Sequence, residues 1–289
     1  MKKTDAAVFI LLGQSNAVGH GIPMEEKDII SEPMKNVFGL LRDENQSFEI
    51  NKLSWSGYTS YGMNLGETQD NTYSVANCLA KLWQDKANKG CDIPDLYIVQ
   101  IAIGAQGVAE GNMWNPNYNK VLKPGDLLNA DISLYPFTRH ILSMLDESFK
   151  DMGKTYDIMG IHWRGGEQDF SRTDEYLREN LEKTYIEIFD GLRKELMCDA
   201  PIILHKLFCF ERADETDPTG GYRKNVHYIN SVFEKLEAEQ KDIKIFDVST
   251  CPWYVADERG NGIFKEDVVH FTPKTNNWVA EQIMNDYIG

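Results

Sequence analysis

Ser15 and His270 carry the side chains on which chemistry would turn. Ser15 lies in Gly13-Gln14-Ser15-Asn16, with Gly19 following, directly after the apolar run Val8-Phe9-Ile10-Leu11-Leu12. Asp267 precedes His270 by three residues, just ahead of Phe271-Thr272-Pro273. A serine hydroxyl is a poor nucleophile at neutral pH. It needs an adjacent imidazole as base, and the imidazole needs an acceptor that fixes its tautomer. Ser15, His270 and Asp267 supply those three roles and point to serine-hydrolase chemistry. Glu167 and Asp169 form a second carboxylate pair of the kind glycosidases use, but bracing of loops by Glu167 is the favoured reading.

The elements around these residues fit that assignment. Strand-like runs fall at Ala6–Leu12, Leu96–Ile103, Tyr156–Trp163, Ile202–Phe208 and Ile243–Val248. Helical spacing appears at Tyr73–Asn88, Ile132–Phe149, Tyr176–Leu196, Tyr222–Glu239 and Lys274–Tyr287. Near-continuous apolar strands alternating with helices imply a parallel sheet covered on both faces. The expectation is a three-layer α/β sandwich with a five-stranded parallel sheet, built as one domain over residues 1–289. Ser15, Gly104 and Gly165-Gly166-Glu167 each follow a strand, where open α/β sheets gather their ligands.

Composition narrows the function. The 289 residues include 42% hydrophobic and 26% charged positions, ordinary for a globular protein, with a net charge of −15. A surface that acidic argues against nucleic-acid or anionic-membrane partners. Only seven apolar residues, Ala6 to Leu12, follow the basic start, too few for a membrane span and better used as a core strand. Five cysteines without C-x-x-C spacing read as reduced packing residues, so a cytoplasmic location is expected, with a secreted mature form as the alternative. His20, His140, His205 and His227 lack ligand-like spacing, and His162 reads as a core histidine. No metal and no cofactor are expected.

Four ordered blocks resemble the SGNH hydrolase superfamily, most closely its carbohydrate-esterase branch of sialate O-acetylesterases and acetylxylan esterases. They are Gly13-Gln14-Ser15-Asn16, Gly104, Trp163-Arg164-Gly165-Gly166-Glu167-Gln168-Asp169 and Asp267-Val268-Val269-His270. The resemblance implies a flavodoxin-like fold, with Ser15 as nucleophile, His270 as base and Asp267 as orienting acid. It places the Ser15 and Gly104 N–H groups in an oxyanion hole, with Gln14, Asn16 and Glu167 in support. Gly165 departs from the pattern, since the family carries a glutamine there. A missing oxyanion donor costs roughly 3–4 kcal/mol, and Gln106 is expected to substitute, with Arg164, Gln168 or the Gly166 N–H as alternatives.

The implied reaction is removal of O-acetyl groups from a carbohydrate, acetylated xylan or oligosaccharide or a sialate-like sugar, through an acetyl-enzyme. Trp55 and Trp114, in loops, are candidates to stack on sugar faces, as is Trp253, with core packing the alternative for each. Two other readings stay open: hydrolysis of lipid-like or thioester acyl groups, and a non-catalytic carbohydrate-binding descendant.

Overall fold

Strand β1 (Ala6–Gly13) is buried along its whole length and alternates between two cores. Ala6, Val8, Ile10 and Leu12 point to one face and Ala7, Phe9 and Leu11 to the other. A strand apolar on both faces is stable only in the middle of a covered sheet, and the computed structural model places it there. The structure describes residues 4–20, 23–118, 133–208, 221–255, 262–263 and 269–288. Among them a seven-stranded sheet has the order β3-β2-β4-β1-β5-β6-β7. The other strands are β2 (Val37–Leu40), β3 (Trp55–Gly57), β4 (Asp95–Ala102), β5 (Tyr156–Arg164), β6 (Ile202–His205) and β7 (Ile243–Phe246).

The five strands read from sequence are all present, but the sheet is neither five-stranded nor wholly parallel. Strand β2 adds in parallel beside β4, and β3 closes that edge antiparallel to β2. Both are short, four and three residues, and fall inside the turn-rich stretch after Gly19. Periodicity needs more residues than that to register.

Helices cover both faces. After the single-turn α1 (Ser15–Val18) and α2 (Arg42–Asn45) comes α3 (Val75–Asn88), which packs Val75, Ala76, Leu79 and Trp83 on one face. Its Ser74 cap accepts from the Asn77 N–H. The opposite face carries α4 (Leu134–Ser143), α5 (Leu145–Asp151), α6 (Asp174–Leu196) and α7 (Gly221–Glu239). The final helix, α8 (Pro273–Ile288), returns to the α3 face through Val279, Ala280, Ile283 and Met284. The chain leaves β1 toward β4 over one face and crosses back to β5 over the other, as right-handed crossovers require. This reversal makes the carboxyl end of β1 a switch point, the place where such sheets bind ligands.

Cys78 and Cys251 are buried, but Cys91 and Cys198 are exposed and so are not the packing residues expected. Among the described residues no helix is long and apolar enough to cross a membrane.

Strand β1 ends in a close approach. Gly13 has φ +141°, and a Cβ there would lie 2.1 Å from the Arg164 carbonyl oxygen on neighbouring β5. The Gln14 N–H donates to that same oxygen at 3.0 Å, which turns the chain and delivers Ser15 to the first position of α1. Gly13→Ala should therefore destabilise the fold by about 3 kcal/mol or more, through forced φ and a backbone clash. Urea unfolding checks this, and a loss below about 1 kcal/mol would mean the turn relaxes freely.

Candidate active site

Asn16, one residue past Ser15 and almost fully buried, ties together three segments distant in sequence. Its Nδ2 donates to Glu167 Oε1 at 2.9 Å and to the Val269 carbonyl at 3.1 Å. Its Oδ1 accepts from the Phe271 N–H at 3.2 Å. One amide thus grips the backbone on both sides of His270 and holds that residue's loop against the turn bearing Ser15. His270 is partly exposed, and its ring centroid lies 5.8 Å from that of His20. Asp267 lies outside the described residues.

Arg164 supports this junction from below. Its Nη1 donates to the Asn16 carbonyl at 3.1 Å and to Asn276 Oδ1 at 2.9 Å, and its guanidinium sits 4.6 Å over the Phe271 ring. Burial pulls its pKa down to about 10, with nearby Glu167 opposing the fall, so the group stays charged at neutral pH. Behind it, His162 and His205 are buried with a 3.2 Å contact between Nδ1 and Nε2. Desolvation, helped by the Arg164 charge, lowers His162 to about 3 and His205 well below its ordinary value, so both rings are neutral. The expectation of a core histidine at 162 holds.

The loop after β4 is stapled by Asp169, which accepts from the Val108 and Ala109 N–H groups at 3.1 and 3.0 Å. Burial raises its pKa to about 6 even though both bonds favour the carboxylate. A Cβ on Gly107 would lie 2.4 Å from that carboxylate, which makes glycine necessary there. Asp169 thus holds the loop and Glu167 Oε1 holds Asn16, the bracing role favoured for Glu167 from sequence. Gln14 joins the same frame, its Oε1 accepting from the Gln168 N–H at 3.3 Å.

The two candidate sugar-stacking tryptophans are placed otherwise. Trp114 is completely buried, donates to the Gly13 carbonyl at 2.9 Å and packs edge-on against Trp163. Trp55 belongs to edge strand β3, donates to Ser148 Oγ at 2.9 Å and packs on Tyr97 and Phe149, away from the strand ends. Both are structural: each spends its indole N–H inside the protein. Trp253 is half-buried under the Lys274 ammonium.

At the proposed oxyanion hole the sequence reading missed two residues. The Gly104 N–H donates to Glu67 Oε2 at 2.7 Å, and Glu67 Oε1 pairs with His20 Nε2 at 2.7 Å. His20 also packs on Gly104, since a Cβ there would meet its Cε1 at 2.4 Å. His20 follows the αL residue Gly19 that ends α1, which was a usable local signal. Glu67 sits in the long connection before α3 and had none. Gln106 Oε1 accepts from the Met113 N–H at 3.0 Å and so braces its own loop. Among the described residues no group of three or more His, Cys, Asp or Glu side chains is arranged to hold a metal.

No family model matches this chain, and no curated protein matches it. Among solved structures, that of NanS superposes over 99% of this chain and 99% of its own, with a TM-score of 0.64 at 14% identity. A carbohydrate acetylesterase family member from Sinorhizobium meliloti aligns over 98% and 97% of the two chains, with a TM-score of 0.48 at 10% identity. Est24, a carbohydrate acetylesterase from the same organism, aligns over 97% and 98%, with a TM-score of 0.44 at 11% identity. The likeness to NanS is one of fold: both chains share an α/β architecture, here a mixed seven-stranded sheet with helices on both faces.

Two substitutions test this geometry. Asn16→Asp removes both Nδ2 donors and sets a carboxylate against the Val269 carbonyl and Glu167. It should cost about 2–4 kcal/mol of stability and loosen the His270 loop, read as faster amide exchange at Val269–Phe271. Gly165 has no positive φ, and a Cβ there would make ordinary contacts of 3.4–3.5 Å with Trp163 and Gly13. Gly165→Gln should therefore change stability by less than about 1 kcal/mol, and a larger loss by thermal unfolding would contradict the space seen here.

Proposed function

We propose that the protein is a serine esterase that removes small acyl groups, acetyl foremost, from hydroxyl-rich carbohydrate esters. The observation that carries this reading is the Asn16 clamp, which seats the His270 loop against the Ser15 turn at the sheet's switch point. In the mechanism, His270 takes the Ser15 hydroxyl proton as Oγ attacks the ester carbonyl, with Asp267 proposed to orient the imidazole. The Ser15 N–H, in the first turn of α1 where such groups lack intrahelical partners, and the Gly104 N–H face the developing oxyanion. Gln106 is the proposed side-chain addition to that hole. Collapse of the tetrahedral species expels the sugar alcohol, protonated by His270, and leaves an acetyl-Ser15 ester. Water then attacks that ester with His270 again as base, releasing acetate and restoring Ser15. The chemistry needs no cofactor, and the acidic surface suits a neutral sugar ester better than a nucleic acid or anionic membrane.

A panel of p-nitrophenyl esters and acetylated sugars tests the reading. Ser15→Ala should abolish hydrolysis while leaving stability within about 1 kcal/mol. His270→Ala should lose nearly as much, and the double variant little more, because the two groups act as one unit. Hydrolysis that persists in Ser15→Ala would sink the nucleophile assignment. Faster turnover of octanoyl than acetyl esters would move the substrate to a lipid-like acyl group.

A further inference from the structure

The Glu67 carboxylate occupies the donor on which the proposed esterase depends. One of its oxygens takes the Gly104 N–H and the other meets His20 Nε2, both at 2.7 Å. A planar carboxylate so held has the shape and charge of a bound acetate. Burial alone would raise the Glu67 pKa, but the bonds to His20 and Gly104 outweigh it and hold the carboxyl below its ordinary value. The group facing Gly104 is therefore an anion at neutral pH. A carboxylate is a stronger acceptor than a neutral ester carbonyl. An ester with nothing else to offer competes poorly for that N–H.

The backbone carrying Glu67 is fixed. Its carbonyl accepts from Arg42 Nη1 at 3.1 Å and Asn64 Nδ2 at 3.3 Å. Arg42 also clasps Asp70 through both terminal nitrogens, at 3.1 and 3.0 Å. Asn64 bonds both the N–H and the carbonyl of Ala102, each at 3.0 Å, at the end of β4. Gly66 lies so close to Ala102 that a Cβ would come within 2.3 Å of its carbonyl oxygen. The segment is thus stitched to the strand that ends two residues before Gly104. The side chains of Glu67 and His20 remain 23% and 22% exposed, so the carboxylate can exchange partners without moving the loop.

We propose that Glu67 is a specificity-determining residue: its carboxylate holds the Gly104 N–H in the free protein and yields it to esters whose alcohol part offers a hydroxyl donor. The carboxylate then accepts from that hydroxyl, and the ester carbonyl takes its place on Gly104. Donor-free esters leave the hole filled, and anionic esters meet like charge at close range. This inference rests on the esterase reading and deepens it, selecting neutral polyhydroxylated acetyl esters.

The test compares p-nitrophenyl acetate, whose alcohol part has no donor, with a mono-O-acetylated methyl xyloside, whose free hydroxyls are donors. Glu67→Ala should raise kcat/KM about tenfold on the first and lower it about tenfold on the second, with Glu67→Gln between wild type and alanine on both. A second readout does not need turnover. The Gly104 amide signal in 1H–15N spectra should move on Glu67→Ala and should titrate with sodium acetate at lower concentration than in wild type. Equal changes on both esters, or a Gly104 signal indifferent to Glu67→Ala, would mean that Glu67 is only a brace and overturn the proposal. Absence of any Ser15-dependent turnover in wild type would instead sink the esterase reading and this inference with it. Ser15-dependent turnover with an unchanged ester ratio overturns the role of Glu67 alone.

Discussion

The site depends on one carboxamide. Asn16 uses its acceptor and both donor hydrogens at once, on Phe271, Val269 and Glu167. No other side chain of that length has this combination. Aspartate lacks the donors, leucine lacks everything polar, and serine has a single donor. The clamp also removes a cost, because the backbone groups flanking His270 would otherwise be left near a buried junction without these partners. Positioning of the histidine loop and satisfaction of its backbone are therefore the same two bonds, while the third anchors the amide on Glu167. Arg164 extends the chain of dependence downward, through the Asn16 carbonyl to Asn276, whose Nδ2 reaches the Tyr73 carbonyl at 2.6 Å.

A buried guanidinium in a protein of net charge −15 calls for an electrostatic account. Desolvation lowers the Arg164 pKa but leaves it well above neutrality, and Glu167 opposes the fall from nearby. Two neutral histidines behind it avoid adding like charge. The Phe271 face offers it a further favourable surface. The cation accordingly lies under the Ser15 turn, held by Asn16, Asn276 and Phe271.

What sequence could and could not show follows from the range of each interaction. Strand β1 was legible because eight buried residues in a row leave a strong apolar signal. The helices after it were legible because each repeats its apolar face several times, although α4 and α5 were read as one and separate at Met144. Strands β2 and β3 were not, because their places come from pairing with β4 and with each other. Among site residues, Gly13, Ser15, Asn16 and His270 sit in compact blocks whose local spacing already limits their roles. Between stacking on a sugar and core packing, sequence could not choose for Trp114, because a turn-rich loop carries no periodic trace of its folding inward to cap the Gly13 carbonyl. Glu67 was illegible. Its partners lie 47 and 37 residues away, and neither contact leaves a periodic trace.

Gly165 and Glu67 bear on the same question from opposite sides. The resembling family sets a side-chain donor at the position of Gly165, and here that position offers only space, bounded by Trp163 and Gly13. On the far side, where β4 ends, the Glu67 carboxylate accepts from the Gly104 N–H. At the proposed oxyanion hole the first feature withholds positive potential and the second sets negative potential beside it. Both make the resting hole less receptive to an isolated anion or a bare carbonyl. A site so biased gains most from a substrate that brings its own donors, because each donor that engages Glu67 frees Gly104 and lowers the opposing charge in the same movement. On the proposed reading, weakness toward simple esters and preference for hydroxyl-rich ones are two consequences of a single charge balance.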